Sequence, residues 1–328
     1  MDNGLRQAFC RKLTYRTMLT FFTTGKAFRG HAGIIQRNAL KSWKLLDREV
    51  EVIVFGEDEG AAQVCSELGL VHHPRVEQHA SGRNRLDYMF ARASQMARHQ
   101  YLCYCNCDIV LMDDFRRAFK RAKAWQEQFL LVSQRWDVDF MEPIDFGDAA
   151  WGQRLRTLAL AKGVQRDEFW MDLFVFKRGV YLDMPPLIVG HCYWDNWMIW
   201  KALAERVPVI DGTLFMAPVH QNHGYTAASG RIKGHATDAL SMVNLKTIGG
   251  RKNIRAIDAA THRMTARGEI RPSVYRQLYP LRRAWRKLRE AWSYRLWFPV
   301  WHGFLDITRP VRKIFGLRSK SLPGGDGR

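Results

Sequence analysis

The residues best suited to chemistry lie in Asn106-Cys107-Asp108, directly after the apolar stretch YLCYC. That stretch predicts a buried strand, and a carboxylate at the end of a strand can hold a divalent cation that bridges a diphosphate. Because oxygen ligands suit magnesium or manganese, Asp108 is the first candidate metal ligand. The alternative is that Asp108 only caps the following turn.

Other polar side chains follow the ends of predicted strands, the edge at which an open parallel sheet binds its ligand. They are Thr23, Thr24 and Lys26 after the first strand, Gly56, Glu57 and Asp58 after the second, and His220 and His223 after a late strand. The first loop, TTGKAFRGHAG, matches neither GxGxxG nor GxxxxGK[ST], which argues against dinucleotide-binding and P-loop sites.

Three cysteines, Cys103, Cys105 and Cys107, alternate along the same predicted strand and therefore point to one face. A three-thiolate metal site is one interpretation, and small buried residues packing under a helix is the favoured one. Asp113 and Asp114 precede FRRAFKRA and are predicted to cap that helix.

The elements that must position these residues alternate between strand and helix. The predicted strands are 18–23, 49–56, 70–73, 101–111, 129–137, 172–179 and 208–220. The predicted helices are 34–46, 57–68, 86–98, 113–125, one near 149–162, and 194–207. Residues 134–168 interrupt the rhythm and predict an inserted loop. The alternation predicts an α/β fold with a mostly parallel sheet flanked by helices.

The order of these segments, with TTGKAF, VFG, NCD, WDNW and VHQNH, resembles a GT-A-fold glycosyltransferase over about residues 18–262. More narrowly, it is similar to bacterial glycosyltransferase-like proteins of the nucleotide-diphospho-sugar transferase superfamily. The resemblance implies transfer of a sugar from a UDP- or GDP-sugar to a glycan or lipid-linked acceptor, with Mn2+ or Mg2+ as cofactor. It leaves an N-terminal extension, 1–17, and a C-terminal tail, 263–328.

The family's motifs fall on particular positions of this sequence. Its metal motif falls on 106–108, and its metal-binding histidine on His220 or, as second choice, His223. Its acidic catalytic motif falls on 194–196, which makes Asp195 the candidate base for the acceptor hydroxyl, with a helix N-cap as the alternative. Asn106 replaces the usual first aspartate, so weaker metal binding is predicted.

Further residues are assigned to the two substrates. The candidate donor-binding residues are Thr23, Thr24, Lys26, Arg83, Asp87, Asn106 and Asp108. The candidate acceptor-binding residues are Asp137, Trp194 and Trp197. The alternative for Lys26 is a solvated side chain, and for Asp87 an aspartate that favours a helix N-terminus. For Asp137 it is an exposed turn, and for Trp194 and Trp197 it is packing in the core.

The positive charge is concentrated in the tail. The net charge is +19, and residues 271–320 contribute +11 of it, from 13 Lys and Arg against Glu290 and Asp306. Trp285, Trp292 and neighbouring leucines recur at helical spacing there, which predicts a basic amphipathic helix for an anionic membrane surface. Packing on the core is the alternative. Nucleic acid binding is not expected, because no known motif accompanies the charge.

Composition bounds the cellular setting. No run reaches the ~18 apolar residues of a membrane span, and MDNGLRQAFCRKLTYR lacks the apolar stretch of a secretion signal. Six cysteines without a CxxC spacing argue against a disulfide scaffold. A cytoplasmic protein is therefore expected, with its basic tail on the inner face of the membrane.

Two other functions compete with glycosyl transfer. A sugar nucleotidyltransferase would have a Gly-rich basic loop after the first strand, and TTGKAFRGHAG matches this only in part. A degenerate binding module without turnover is favoured only by Asn106.

Overall fold

The computed structural model describes residues 19–223 and 236–274. All of them belong to the first of two compact units, Met1–Arg276. The predicted extension 1–17 and the tail segment from 275 onward lie outside the described residues, so the membrane-binding role of the tail stays a prediction. Within the described ranges, no helix combines the length and apolarity needed to cross a bilayer.

The larger sheet confirms the predicted α/β fold class. Its strands are β1 (Leu19–Thr24), β2 (Glu51–Phe55), β3 (Val71–His73), β4 (Tyr101–Cys105), β6 (Leu130–Val132), β9 (Leu173–Lys177), β10 (Val209–Asp211), β12 (His262–Met264) and β13 (Ile270–Pro272). They are ordered β13-β12-β10-β6-β9-β4-β1-β2-β3. Pairing is parallel except where β9 lies between β4 and β6 and where β13 closes the edge.

Helices cover both faces of this sheet. They are α1 (Gly30–Lys44), α2 (Ala61–Leu68), α3 (Leu86–Met96), α4 (Asp113–Trp125), α6 (Trp194–Ala204) and α7 (Ala239–Thr247). A further helix, α5 (Trp151–Lys162), packs instead on the smaller sheet described below. Successive strand residues point to opposite faces. Phe21 accordingly packs in the core with α1, α2 and α4, whereas Phe22 packs in the core with α3, α6 and α7. A sheet buried on both faces explains the nearly continuous apolar strands.

A smaller sheet stands at the carboxyl edge of the larger one. It consists of β5 (Ile109–Val110), β7 (Trp136–Val138), β8 (Val164–Gln165) and β11 (Val219–Gln221), in the order β5-β11-β7-β8. Three predicted strands, 101–111, 129–137 and 208–220, each divide between the two sheets. Each break lies where the chain leaves the large sheet, and the first break is Asn106-Cys107-Asp108.

One sequence expectation needs correction, and another is confirmed. The large sheet continues past residue 262, because β12 and β13 form its edge, so the α/β domain extends beyond the predicted boundary. Cys103, Cys105 and Cys107 pack in the apolar core, and burial raises the pKa of each thiol well above its usual value. Their place among apolar side chains supports the favoured interpretation, in which small buried residues pack under a helix.

Candidate metal and catalytic site

Strand register in the smaller sheet brings the metal candidates together. His220 on β11 is paired with Ile109 of β5 on one side and with Asp137 of β7 on the other. Asp108 directly precedes β5, so its carboxylate lies next to the His220 ring. The adjacency follows from the pairing of three strands that are far apart in sequence.

Asp108 and two histidines form a compact set of possible ligands. Oδ2 of Asp108 lies 3.1 Å from Nε2 of His223 and 3.6 Å from Nε2 of His220. One potential ligand atom from each of the three residues lies within 4.8 Å of the others. Oδ1 of Asp108 is buried and has no hydrogen-bond partner among residues 19–223 and 236–274. An orphaned buried carboxylate oxygen beside two imidazoles fits a divalent cation.

The electrostatics of this set favour opposite charges. Burial alone would raise the pKa of Asp108, but the charges and hydrogen bonds of His220 and His223 hold it well below its usual range. Burial lowers the pKa of His220, yet Asp108 and Asp137 outweigh it and raise that pKa to about 9. Without metal, the set is therefore an aspartate paired with an imidazolium at neutral pH.

Asp137 is placed differently from its predicted role in acceptor binding. It is buried, and Oδ1 accepts a hydrogen bond of 2.8 Å from Nε of Arg135 and lies 3.2 Å from Nδ1 of His220. Oδ2 accepts a hydrogen bond from Arg166. Burial opposes ionisation, but these partners lower the pKa of Asp137 to about 2. A carboxylate behind a histidine fixes the ring orientation, so Asp137 supports His220 rather than an acceptor.

Asp195 lies in the first turn of α6, at the predicted position. The residue that caps α6 is Tyr193, with φ of 84°, and Asp195 Oδ1 accepts a 2.8 Å hydrogen bond from the amide of Asn196. Desolvation, with a contribution from the charge of Asp172, raises the pKa of Asp195 to about 7. A carboxyl group with this pKa suits proton transfer at neutral pH.

Trp194 and Trp197 were predicted to bind the acceptor, and the structure places both in the core. The Trp194 ring centroid lies 5.2 Å from that of Tyr104 and 5.4 Å from that of Phe174. Trp197 is buried against Tyr181. The apolar α6 surface therefore anchors the helix on the sheet and leaves neither ring open to a sugar.

Two residues that sequence reasoning missed connect these groups. Asp172, just before β9, accepts hydrogen bonds from Nδ2 of Asn106 and, at 2.6 Å, from Nη1 of Arg135. Arg135 also binds Asp137. No local motif marks either residue, because their roles depend on the pairing of β9 with β4 and β6.

Some of the predicted donor residues are engaged in contacts within the fold, and others are exposed. Thr23 is fully buried and its hydroxyl donates to the Thr24 carbonyl, so it is not open to a donor. Asp87 is paired with Arg85. Thr24 accepts a 2.8 Å hydrogen bond from Asn84, whereas Lys26 and Arg83 are exposed. Sequence analysis did not single out Asn84.

A glycine turn brings part of this group together. Gly56 has φ of +110°, and a Cβ there would lie 3.0 Å from Oδ2 of Asp58 and 3.5 Å from Oγ1 of Thr24. Such a backbone conformation is rare for residues with a side chain. Thr24, Asp58 and Asn84 therefore surround one turn at the carboxyl edge of the sheet.

Comparison with known proteins gives likenesses in solved structures only. No protein-family profile and no curated protein matches the chain. S. aureus TarS 1–349 in complex with UDP-GlcNAc matches with TM-score 0.43 and 11% identity, over 65% of this chain and 61% of that one. Glucosyl-3-phosphoglycerate synthase from Mycobacterium tuberculosis, in complex with Mn2+, UDP-glucose and phosphoglyceric acid, matches with TM-score 0.42 and 10% identity. That match covers 71% of this chain and 80% of the synthase.

The matched part thus spans about three fifths of the TarS chain. These likenesses concern the fold alone. The roles of individual residues rest on the geometry of this chain.

Proposed function

We propose that this protein is a GT-A-fold glycosyltransferase that moves a sugar from a nucleotide-diphosphate donor to a hydroxyl acceptor on a glycan or lipid. The observation that carries the proposal is a set of possible cation ligands and a candidate base at the same edge of the sheet. The possible ligands are Asp108, His220 and His223. The candidate base is Asp195, whose pKa is about 7. Asp172 links the two, because its charge helps to raise the Asp195 pKa and its carboxylate binds Asn106.

Each side chain has a separate task in this reaction. When bound, a divalent cation would neutralise the negative charge on the nucleoside diphosphate leaving group. Asp108, His220 and His223 would hold that ion. The Asp195 carboxylate accepts the proton of the acceptor hydroxyl, whose own pKa lies far above neutrality. Burial keeps Asp195 basic enough for this step.

The ligand set favours manganese over magnesium. Two of the three candidate ligands are imidazoles, and Mg2+ prefers an all-oxygen shell.

Thermal shifts with UDP and GDP, each with Mn2+ or Mg2+, test the proposed function directly. Stabilisation by one nucleotide that depends on Mn2+ supports it. No shift with any nucleotide would leave only a binding module without turnover.

Manganese affinity is expected to rise with pH between about 6 and 9. Because the pKa of His220 is about 9, its imidazole must lose a proton before it binds metal. The affinity should increase by about tenfold per pH unit, with release of one proton. Titration calorimetry in two buffers of different ionisation enthalpy measures that release. In His220→Gln the dependence should flatten, and an equal slope in wild type and variant would contradict His220 as a ligand.

An exposed tryptophan replaces the three predicted acceptor residues in our proposal. Trp170 is 41% exposed, and the guanidinium groups of Arg135 and Arg166 lie 5.0 and 5.2 Å from its ring centroid. Both arginines bind Asp137, so the ring lies next to the network that supports His220. The exposed part of the ring offers an apolar surface on which a sugar can pack.

Trp170→Ala is therefore expected to raise the acceptor KM by roughly tenfold, which corresponds to about 1.4 kcal/mol of lost stacking. The donor KM should change little. Trp125→Ala is the matched control, because Trp125 is 36% exposed but ends α4 at the opposite edge of the sheet. Equal acceptor KM values for the two variants would exclude Trp170 from the acceptor site.

A further inference from the structure

Asn106 departs from the two-aspartate metal motif, and Asp172, the residue just before β9, explains how the site accommodates the change. Cys105 of β4 pairs with Leu173 of β9 in antiparallel register, so Asn106 and Asp172 are the next opposed pair. The backbone N–H of Asn106 donates a 2.9 Å hydrogen bond to the backbone carbonyl of Asp172. The side chains meet as well, since Nδ2 of Asn106 donates to Oδ1 of Asp172.

The chemistry of the two groups fixes the orientation of the amide. A carboxylate only accepts hydrogen bonds, so Nδ2 of Asn106 must face Asp172. Oδ1 of Asn106 is then turned away from the Asp172 carboxylate, and within the described part of the chain no hydrogen bond is donated to it. A second carboxylate at position 106 would stand against that of Asp172 and repel it.

Asp172 is itself held in place. It is 8% exposed, and its other oxygen accepts a 2.6 Å hydrogen bond from Arg135, whose side chain also binds Asp137. Both carboxylate oxygens are therefore occupied, which argues against Asp172 as a metal ligand. Its negative charge nevertheless lies opposite Asn106, two residues before Asp108 in the sequence.

We infer that Asn106 and Asp172 form one functional unit, in which Asp172 is a positioning residue that presents Oδ1 of Asn106 as a neutral oxygen ligand at the Asp108 metal site. The carboxylate absent from position 106 thus lies at position 172, at the start of the neighbouring strand. The metal-binding part of this inference rests on the proposed function, whereas the coupling of the two side chains does not.

The test is a double-mutant cycle made of Asn106→Asp, Asp172→Asn and the exchange variant that carries both. In the exchange variant the amide at 172 can donate to the carboxylate at 106 and still accept from Arg135, so every hydrogen bond is kept. Each single variant should lose roughly 4 to 8 °C of melting temperature at pH 8 without metal, and the exchange variant should recover to within about 2 °C of wild type.

Manganese titration supplies the second measurement. Because the exchange variant places a carboxylate at position 106, it should bind Mn2+ about tenfold more tightly than wild type. Asp172→Asn should bind it more weakly, since its amide at 106 is no longer fixed. Asp183→Asn, an exposed pair with Lys201, is the control and should change neither quantity.

Two outcomes would overturn the inference. An exchange variant as unstable as the worse single variant would show that the side chains do not act as a unit. Recovery of stability without any gain in Mn2+ binding would remove the ligand role of Asn106. If stability recovers but wild type itself does not bind Mn2+, the proposed function fails while the coupled pair stands.

Discussion

Asp195→Asn is expected to lower kcat by about 10²- to 10⁴-fold, which is the usual contribution of a general base. The wild-type rate should rise with pH up to about 7 and then level, because the pKa of Asp195 is raised to about 7 by burial and by the Asp172 charge. The variant should lose this acidic limb. The measurement is kcat against pH for both proteins, with donor saturating.

The same substitution should change stability in the opposite direction. Folding raises the Asp195 pKa, so the ionised carboxylate destabilises the folded state increasingly from about pH 4 to 7. The neutral amide avoids this cost, and the melting temperature of Asp195→Asn should therefore exceed that of wild type at pH 8. At pH 4 the two should agree. Such a trade between stability and activity is typical of functional residues.

Asp183→Asn is the matched control. Asp183 is exposed and pairs with Lys201, which lies on the same helix as Asp195. It should keep both the rate and its pH dependence. A rate and pH profile in Asp195→Asn that match those of Asp183→Asn would remove Asp195 from the reaction.

Asp108→Asn is expected to abolish stabilisation by Mn2+ and to lower turnover by at least about 10²-fold. The amide has nearly the same shape but lacks the charge that lies next to His220 and His223. The metal would lose its only carboxylate within the set of three described ligands. Thermal shifts with Mn2+ and nucleotide, together with donor turnover, measure both effects.

Metal-free stability gives an independent signature of the same substitution. Pairing raises the His220 pKa from its ordinary 6.5 to about 9, so this contribution is complete below about pH 6.5 and disappears as pH rises through 9. The loss of melting temperature in Asp108→Asn should accordingly be larger at pH 6 than at pH 9.

Asp113→Asn is the control for Asp108, because Asp113 is exposed at the start of α4 and pairs with Arg116 and Arg117. It should leave Mn2+ binding unchanged. Retained Mn2+ stabilisation in Asp108→Asn would exclude this carboxylate as a ligand and would leave the proposed metal site without its central residue.

Local pattern alone determined the α/β class and the position of Asp108. An apolar run that ends in a polar residue predicts a strand end wherever it occurs, and parallel strands end at one edge. The same reasoning placed His220 at that edge, whereas Asp195 was assigned from the resemblance of residues 194–196 to the family's acidic motif. It depends only on neighbours along the chain, which the sequence displays directly.

Tertiary structure decided which of these residues meet and what each one faces. His220 lies between Asp108 and Asp137 because three distant strands pair in one register, and Asp172 meets Asn106 because β9 runs antiparallel beside β4. Trp194 looked like a sugar platform, yet its helix face turns toward the core. Register and helix orientation arise from packing over the whole domain, so no local spacing of residues encodes them.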